Sequence, residues 1–196
     1  MYDSGAKEMA KLHIDEWRPD RLDTAAVEHD LDALSDVLHA VVHDGAGVSF
    51  VVPFSRADAR AFWIEHVMPG VRARTRHVLV ARLDGRIVGT VQMEPAWAPN
   101  QPHRADVAKL LVHPDARRRG VARALMVALE SLALSLGRTL LTLDTWTGSS
   151  AERLYRSLGY VEAGVIPRYA RGSTTTALEP TTVMYKELTS AELKRD

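Results

Sequence analysis

Arg117, Arg118, Arg119 and Gly120 stand where an apolar strand-like run ends and a helix-like pattern begins. A helix start carries unpaired N–H groups and a partial positive charge. Guanidinium groups added there suit a strongly negative ligand, and phosphate is the candidate. Gly120 leaves no Cβ where a phosphate would press on backbone, and Ala122 keeps the next approach small. The N–H groups of residues 118–123, which include Val121 and Arg123, can then point into one concavity. The two common nucleotide loops, G-x-x-x-x-G-K-[ST] and G-x-G-x-x-G, are absent. An RRRG turn alone is more often a solvated helix start, so the flanking segments must decide.

Those segments read as strand, turn, helix. ADVAKLLV (105–112) is strand-like, and the helix after Gly120 runs to about Leu136, closed by Gly137. RTLLTLDT (138–145) is a short buried strand, and SSAERLYRSLG (149–159) is a helix stopped by Gly159. Upstream, KLHIDEW (11–17) alternates like a first strand. Asp23 or Thr24 caps a helix to about Val42, with Val27, Leu31, Leu34, Leu38 and Val41 at helical spacing. Ser55 caps a second helix that the sequence ends before Pro69. Residues 77–94 form a hairpin around Asp84-Gly85, and YVEAGVIPRYA and TTVMYKEL supply two last strands. The sum is a mixed sheet with covering helices, α/β or α+β in class. One domain over 11–188 is expected, with a loose terminus at 1–10 and a tail at 189–196.

Composition narrows the function. The formal net charge of +0 disfavours a nucleic-acid partner held by bulk charge. The absence of cysteine removes disulfides, a cysteine nucleophile and thiolate metal sites. The eight histidines form no H-x-H pair, and no metal is expected. No apolar leader or spanning segment is visible, which points to a cytoplasmic protein without a membrane partner.

The spacing R-x-x-G-x-A (Arg117, Gly120, Ala122) resembles the coenzyme A pyrophosphate loop of the GCN5-related N-acetyltransferases. VAKLLVHP supplies the family's upstream V-x-x-L-x-V-x-P with Val107, Leu110, Val112 and Pro114. LLTLDT, Ala151 with Tyr155, and Gly159-Tyr160 match its downstream strand, A-x-x-x-Y helix and Gly-aromatic pair. The resemblance covers about residues 75–188. HDGAGVSF, RADVAKL, LDT followed by Gly148-Ser149, and PTTVMYKEL are most similar to the tabtoxin-resistance-type acetyltransferases.

The resemblance implies a mixed sheet of about seven strands flanked by four helices, splayed at two central parallel strands. It implies transfer of an acetyl group from acetyl-CoA directly to a primary amine of a small molecule, as a resistance activity. The backbone of Leu110, Leu111 and Val112 would hold the pantetheine arm, and an N–H of Leu111 or Val112 would polarise the thioester carbonyl. Arg117, Arg118, Arg119, Gly120, Val121, Ala122 and Arg123 would hold the pyrophosphate. Tyr155, with an ordinary pKa of about 10, would protonate the leaving thiolate. Asp106 and Asp144 compete as base, with Glu94 a third carboxylate. Asp106 stands where a longer glutamate is expected, so a bridging water would connect it. Where many relatives carry Asn, this chain has Gly148, and the Ser149 hydroxyl either replaces that contact or caps the helix. Trp97, His103, Trp146 and Tyr169 could wall the acceptor cleft, and His113 would face the loop. The rival readings are a peptide or protein amino-group acetyltransferase and a non-catalytic acyl-CoA sensor. A homodimer through the C-terminal strands is compatible with all three.

Overall fold

The computed structural model describes residues 11–189, so the terminus expected at 1–10 and most of the expected tail lie outside the described residues. Seven strands form one sheet: β1 (Leu12–Glu16), β2 (His77–Leu83), β3 (Arg86–Pro95), β4 (Arg104–Val112), β5 (Leu140–Trp146), β6 (Val161–Arg171) and β7 (Leu178–Glu187). Their spatial order is β1-β2-β3-β4-β5-β7-β6. The β4–β5 pair is parallel, and every other neighbouring pair is antiparallel.

The helices are α1 (Thr24–His43), α2 (Arg56–Ala61), α3 (Met68–Arg72), α4 (Val121–Ser135) and α5 (Ser150–Ser157). A π-helical turn, Phe62–Val67, fuses α2 and α3 into one rod, which makes four helical bodies. Their starts follow local chemistry. The Asp23 carboxylate accepts the Ala26 N–H at 2.8 Å, and Ser55 and Asp58 form a reciprocal capping box. The β2–β3 hairpin turns through Asp84 and Gly85 at φ 50° and 84°, the paired positive values of a type I′ turn.

The second helix does not end before Pro69. A proline inside an α-helix clashes with the carbonyl four residues back. Here the preceding turn is widened: the Met68 N–H reaches the Trp63 carbonyl, five residues back. The rod therefore continues to Arg72.

The sheet separates two cores. On one face α1 and the α2–α3 rod cover Val78, Val80 and Leu111 around Trp17 and Trp63. On the other, α4 and α5 cover Leu79, Ala81, Val91, Met93, Ala105, Val107, Leu141 and Leu143. Strand alternation explains the division in β2, where Val78 and Val80 face one way and Leu79 and Ala81 the other. The fork of Arg82 closes on buried Asp30 with two 2.8 Å hydrogen bonds and ties α1 to the sheet. Among the described residues no helix is long and apolar enough to cross a membrane.

In β4 the alternation slips. Thr90 opposes Leu111 and Gln92 opposes Ala108, so β4 spends one residue more than β3 over that interval. The extra residue is a bulge, and Lys109 within it has φ 52°. Ala105 and Val107 face α4, while Leu111, beyond the bulge, faces the α1 core.

The approach of β3 to the β4 end and α4 depends on Gly89. A Cβ there would lie 2.9 Å from the Leu111 carbonyl oxygen and 3.1 Å from Val121. Gly89→Ala is therefore expected to destabilise the fold by about 1–3 kcal/mol through overpacking against backbone. Urea denaturation checks this; an unchanged midpoint would mean that the strands part freely here.

Candidate active site

β4 and β5 share register at Arg104, Ala105 and Asp106, which oppose Leu140, Leu141 and Thr142, and then they part. β5 keeps its pairing with β7 as far as Trp146. The second half of β4 therefore borders a gap within the sheet. The His113 N–H binds the Val88 carbonyl at 2.8 Å. In an antiparallel ladder the next residue back turns its backbone groups the other way. The N–H and C=O of Val112 thus face the gap, and the Val112 carbonyl accepts the Arg117 Nε at 3.4 Å. The side chains of Leu110, Leu111 and Val112 all pack on core residues, so their chemistry lies in the backbone.

The gap leads to the start of α4. Gly120 is its N-cap at φ 79°, and no side chain caps the helix. A Cβ on Gly120 would meet nothing within 4 Å, so the hollow above it is open. The N–H groups of Val121, Ala122 and Arg123 have no acceptor among the described residues. Such an N-terminus attracts anions.

The expected arginines divide. Arg118 and Arg119 are exposed and have no partner among the described residues. Arg117 instead binds Asp44 and the Val112 carbonyl, and Arg123 binds the Ser157 hydroxyl at 2.7 Å. Two of the four guanidinium groups placed at the anion site by sequence thus hold neighbouring elements together.

Across the gap, α5 begins at Ser149, whose hydroxyl accepts the Glu152 N–H at 3.1 Å. Of the two roles open to Ser149, the structure gives it the cap. Ala151 packs on the α4–α5 core, and Tyr155 is buried, its ring 5.6 Å from that of Tyr160. Burial first, and then the negative charge of Asp144, push the Tyr155 phenol well above its ordinary range. It is held protonated.

The carboxylates occupy the sheet face opposite α4. Met93, Ala105, Val107, Leu141 and Leu143 point into the α4–α5 core, so Glu94, Asp106, Thr142 and Asp144 point away from it. Their partners differ. Asp106 accepts from Arg104 at 2.6 Å and from the Thr142 hydroxyl. Glu94 pairs with Arg76 at 2.8 Å. Asp144 is exposed and takes one hydrogen bond, from the Thr181 hydroxyl at 3.1 Å. It does not cap α5, and it is the carboxylate of the three without a cationic partner at ion-pair distance.

Two loops close over this face. The Val52 N–H binds the Ser173 carbonyl at 2.9 Å, and the Ser173 hydroxyl binds the Val42 carbonyl at 2.8 Å. Trp146 is wedged between them: added Cβ atoms on Gly47 and Gly172 would lie 3.5 Å and 3.7 Å from its ring. Trp146 thus lies between the two loops, on the sheet face that carries Asp144.

Trp97 lies elsewhere. It is 92% exposed in the β3–β4 loop, beside the start of β4 and away from the gap. His103 sits at that same end, its carbonyl accepting the N–H groups of Thr139 and Leu140. Tyr169 is exposed on β6, and His113 turns to the loop, accepting the Asp115 N–H at 3.3 Å. Sequence reasoning missed Lys109, whose ammonium donates to the Ser49 hydroxyl at 3.1 Å and lies 5.7 Å from the Phe50 ring centre. A lysine within a regular strand reads as a solvent-facing residue, and this bulge is marked by no glycine or proline.

Residues 74–162 match the family model described as Acetyltransferase (GNAT) domain. The chain is 35% identical over 128 residues to an uncharacterised N-acetyltransferase of Azospirillum brasilense, covering 64% of this chain and 73% of that one. Its fold is similar to that of yncA of Salmonella typhimurium, solved with its cofactor acetyl-CoA, at TM-score 0.70 and 18% identity over 91% of this chain and 95% of that one. It is similar also to a ribosomal-protein-alanine N-acetyltransferase from Brucella melitensis, at TM-score 0.70 and 24% identity over 90% and 99% of the two chains.

Burial raises the phenols of both Tyr155 and Tyr160. A folded-state pKa above the unfolded value stabilises the fold below about pH 10, and that stability is lost as the pH rises further. Each tyrosine should contribute a fall of about 1.4 kcal/mol per pH unit above pH 10. Urea midpoints between pH 8 and 11 measure it, and Tyr155→Phe should flatten the slope. An equal slope in the variant would place the phenol in water.

Proposed function

The chain belongs to the GNAT family of N-acetyltransferases, and we propose that it acetylates the primary amine of a small molecule directly from acetyl-CoA. The observation that carries this reading is the open Val112 backbone beside the uncapped start of α4, with Tyr155 and Asp144 reaching the gap from opposite faces of the sheet. Coenzyme A fits this chain on two counts. Gly120 opens onto free space at φ 79°, and three helix N–H groups there lack acceptors among the described residues.

Acetyl-CoA supplies the thioester and the leaving thiolate. Arg118, Arg119 and the N–H groups of residues 121–123 bind its pyrophosphate. The Val112 N–H donates to the thioester oxygen where charge develops. Asp144 accepts the amine proton, and the Tyr155 phenol donates a proton at sulfur. Asp106, held by Arg104 and Thr142, shapes the acceptor floor. Without cysteine, a cysteinyl-acyl intermediate has no site, which favours the direct route.

The closed arch of the two loops beside Trp146 favours a small acceptor over a folded protein. The motifs shared with tabtoxin-resistance-type enzymes favour an amino-acid-like antimetabolite, and thus a resistance role. On β6, Val161, Val165, Ile166 and Tyr169 are all exposed on an edge strand. Long apolar edges of this kind need a cover. A second copy of the chain supplies it in a homodimer.

Calorimetric titration with acetyl-CoA and free-thiol release against a panel of amines test the reading. Gly120→Glu should weaken acetyl-CoA binding by more than about tenfold while the circular dichroism stays unchanged. Binding at the original affinity would overturn the phosphate assignment. Tyr155→Phe and Asp144→Asn should each lower kcat by about 100-fold with little change in acetyl-CoA affinity. An unchanged rate in either would return that residue to a packing role.

A further inference from the structure

The mechanism leaves the Lys109 ammonium unused. Lys109 sits at φ 52°, in a region few lysines adopt, within the bulge of β4. Bulges beside active sites re-aim a side chain, and strained residues persist where the surroundings hold them. A regular strand would send position 109 toward α4 with Ala105 and Val107. The bulge turns its ammonium instead to the loop that arches over the acceptor face, where Ser49 and Phe50 receive it.

Lys109 is partly buried, and that burial is the main influence lowering its pKa. Asp144 and Glu94 oppose the shift and Arg76 adds to it, so these charged groups face one space. Yet Lys109 forms no ion pair with a carboxylate among the described residues. Glu94 is already held by Arg76, and Asp106 by Arg104. One neutral hydroxyl serves an ammonium that has three donors to satisfy. A partly buried cation in that condition is left with donors that an arriving anion can meet.

We propose that Lys109 binds an acid group of the acceptor, so that the substrate is a zwitterion whose amine faces Asp144 while its carboxylate or similar anion faces Lys109. The proposal rests on the acetyltransferase reading above and names its substrate class. Lys109 and Asp144 lie across a gap wider than an ion pair, with opposite charges. An amino acid enters that gap with its own charges reversed and satisfies both ends. A neutral or purely cationic amine satisfies Asp144 alone and leaves the Lys109 donors unmet. Lys109 thus acts on specificity through binding and takes no proton in the reaction.

The test measures thiol release with the L-amino acids, β-alanine and 4-aminobutyrate, each beside its own carboxamide. Wild type should use at least one free acid with kcat/KM ten or more times that of its amide. Lys109→Met should lower kcat/KM for that acid at least tenfold, chiefly through KM, and change the amide less than twofold. Lys109→Arg should restore part of the preference. A wild-type preference for amides, turnover of none of the acids, or an equal loss on acid and amide in Lys109→Met would overturn the assignment. The wild-type ratio needs no variant, so misfolding of Lys109→Met would not shield the proposal. Acetyl-CoA titration run in parallel separates the two readings. Absent binding would sink the acetyltransferase mechanism, whereas binding and turnover without acid preference would sink only the role of Lys109.

Discussion

The parting of β4 from β5 is the constraint on which the rest of the molecule depends. A parallel pair normally continues its evenly spaced hydrogen bonds to the end of the shorter strand. Here the register ends at Asp106 and Thr142. β5 stays with β7, and β4 stays with β3, so the sheet remains continuous at its N-terminal end and opens at the other. Backbone polar groups along the opening need partners. The Val112 carbonyl receives one from Arg117, and its N–H faces the gap. The same opening lets Tyr155, on the α5 side, and Asp144, on the opposite face, meet in one space.

The bulge at Lys109 makes this opening chemically asymmetric. Before it, Ala105 and Val107 pack under α4; after it, Leu111 packs under α1. One inserted residue therefore lets a single strand serve both cores. It also delivers a lysine to the acceptor face where alternation alone would have sent it to α4. Gly89, opposite Val112 and tight against the Leu111 carbonyl, allows β3 to follow the altered strand.

Much of this was legible from local rules. Ser55, Asp23 and Asp84-Gly85 announce their elements because capping and turn chemistry act over three or four residues. The R-x-x-G-x-A spacing located the open helix start for the same reason: Gly120 answers to its own backbone. What failed was decided by neighbours distant in sequence. Pro69 reads as a stop, but packing around Trp63 favours a widened turn that tolerates it. Trp97 reads as a cleft aromatic, but the loop that carries it leaves from the wrong end of β4. Lys109 was overlooked because a bulge without glycine or proline has no local signature. Asp144 could be identified as a strand-end carboxylate, but its freedom depends on Ser149 taking the cap it might have supplied.

Arg117 is engaged within the fold rather than standing free at the helix start. Asp44 follows the last turn of α1, where the helix dipole disfavours negative charge. Arg117 neutralises it, and through the Val112 carbonyl fixes the end of β4 as well. One guanidinium thereby joins the root of the acceptor loop, the strand that borders the gap and the turn that leads into α4. Rigid geometry forks of this kind suit arginine better than lysine. Arg118, Arg119 and the uncapped N–H groups at the helix start have no partner among the described residues. The turn that leads into α4 and the loop that follows α1 thus share a strut, which fixes the spacing between them.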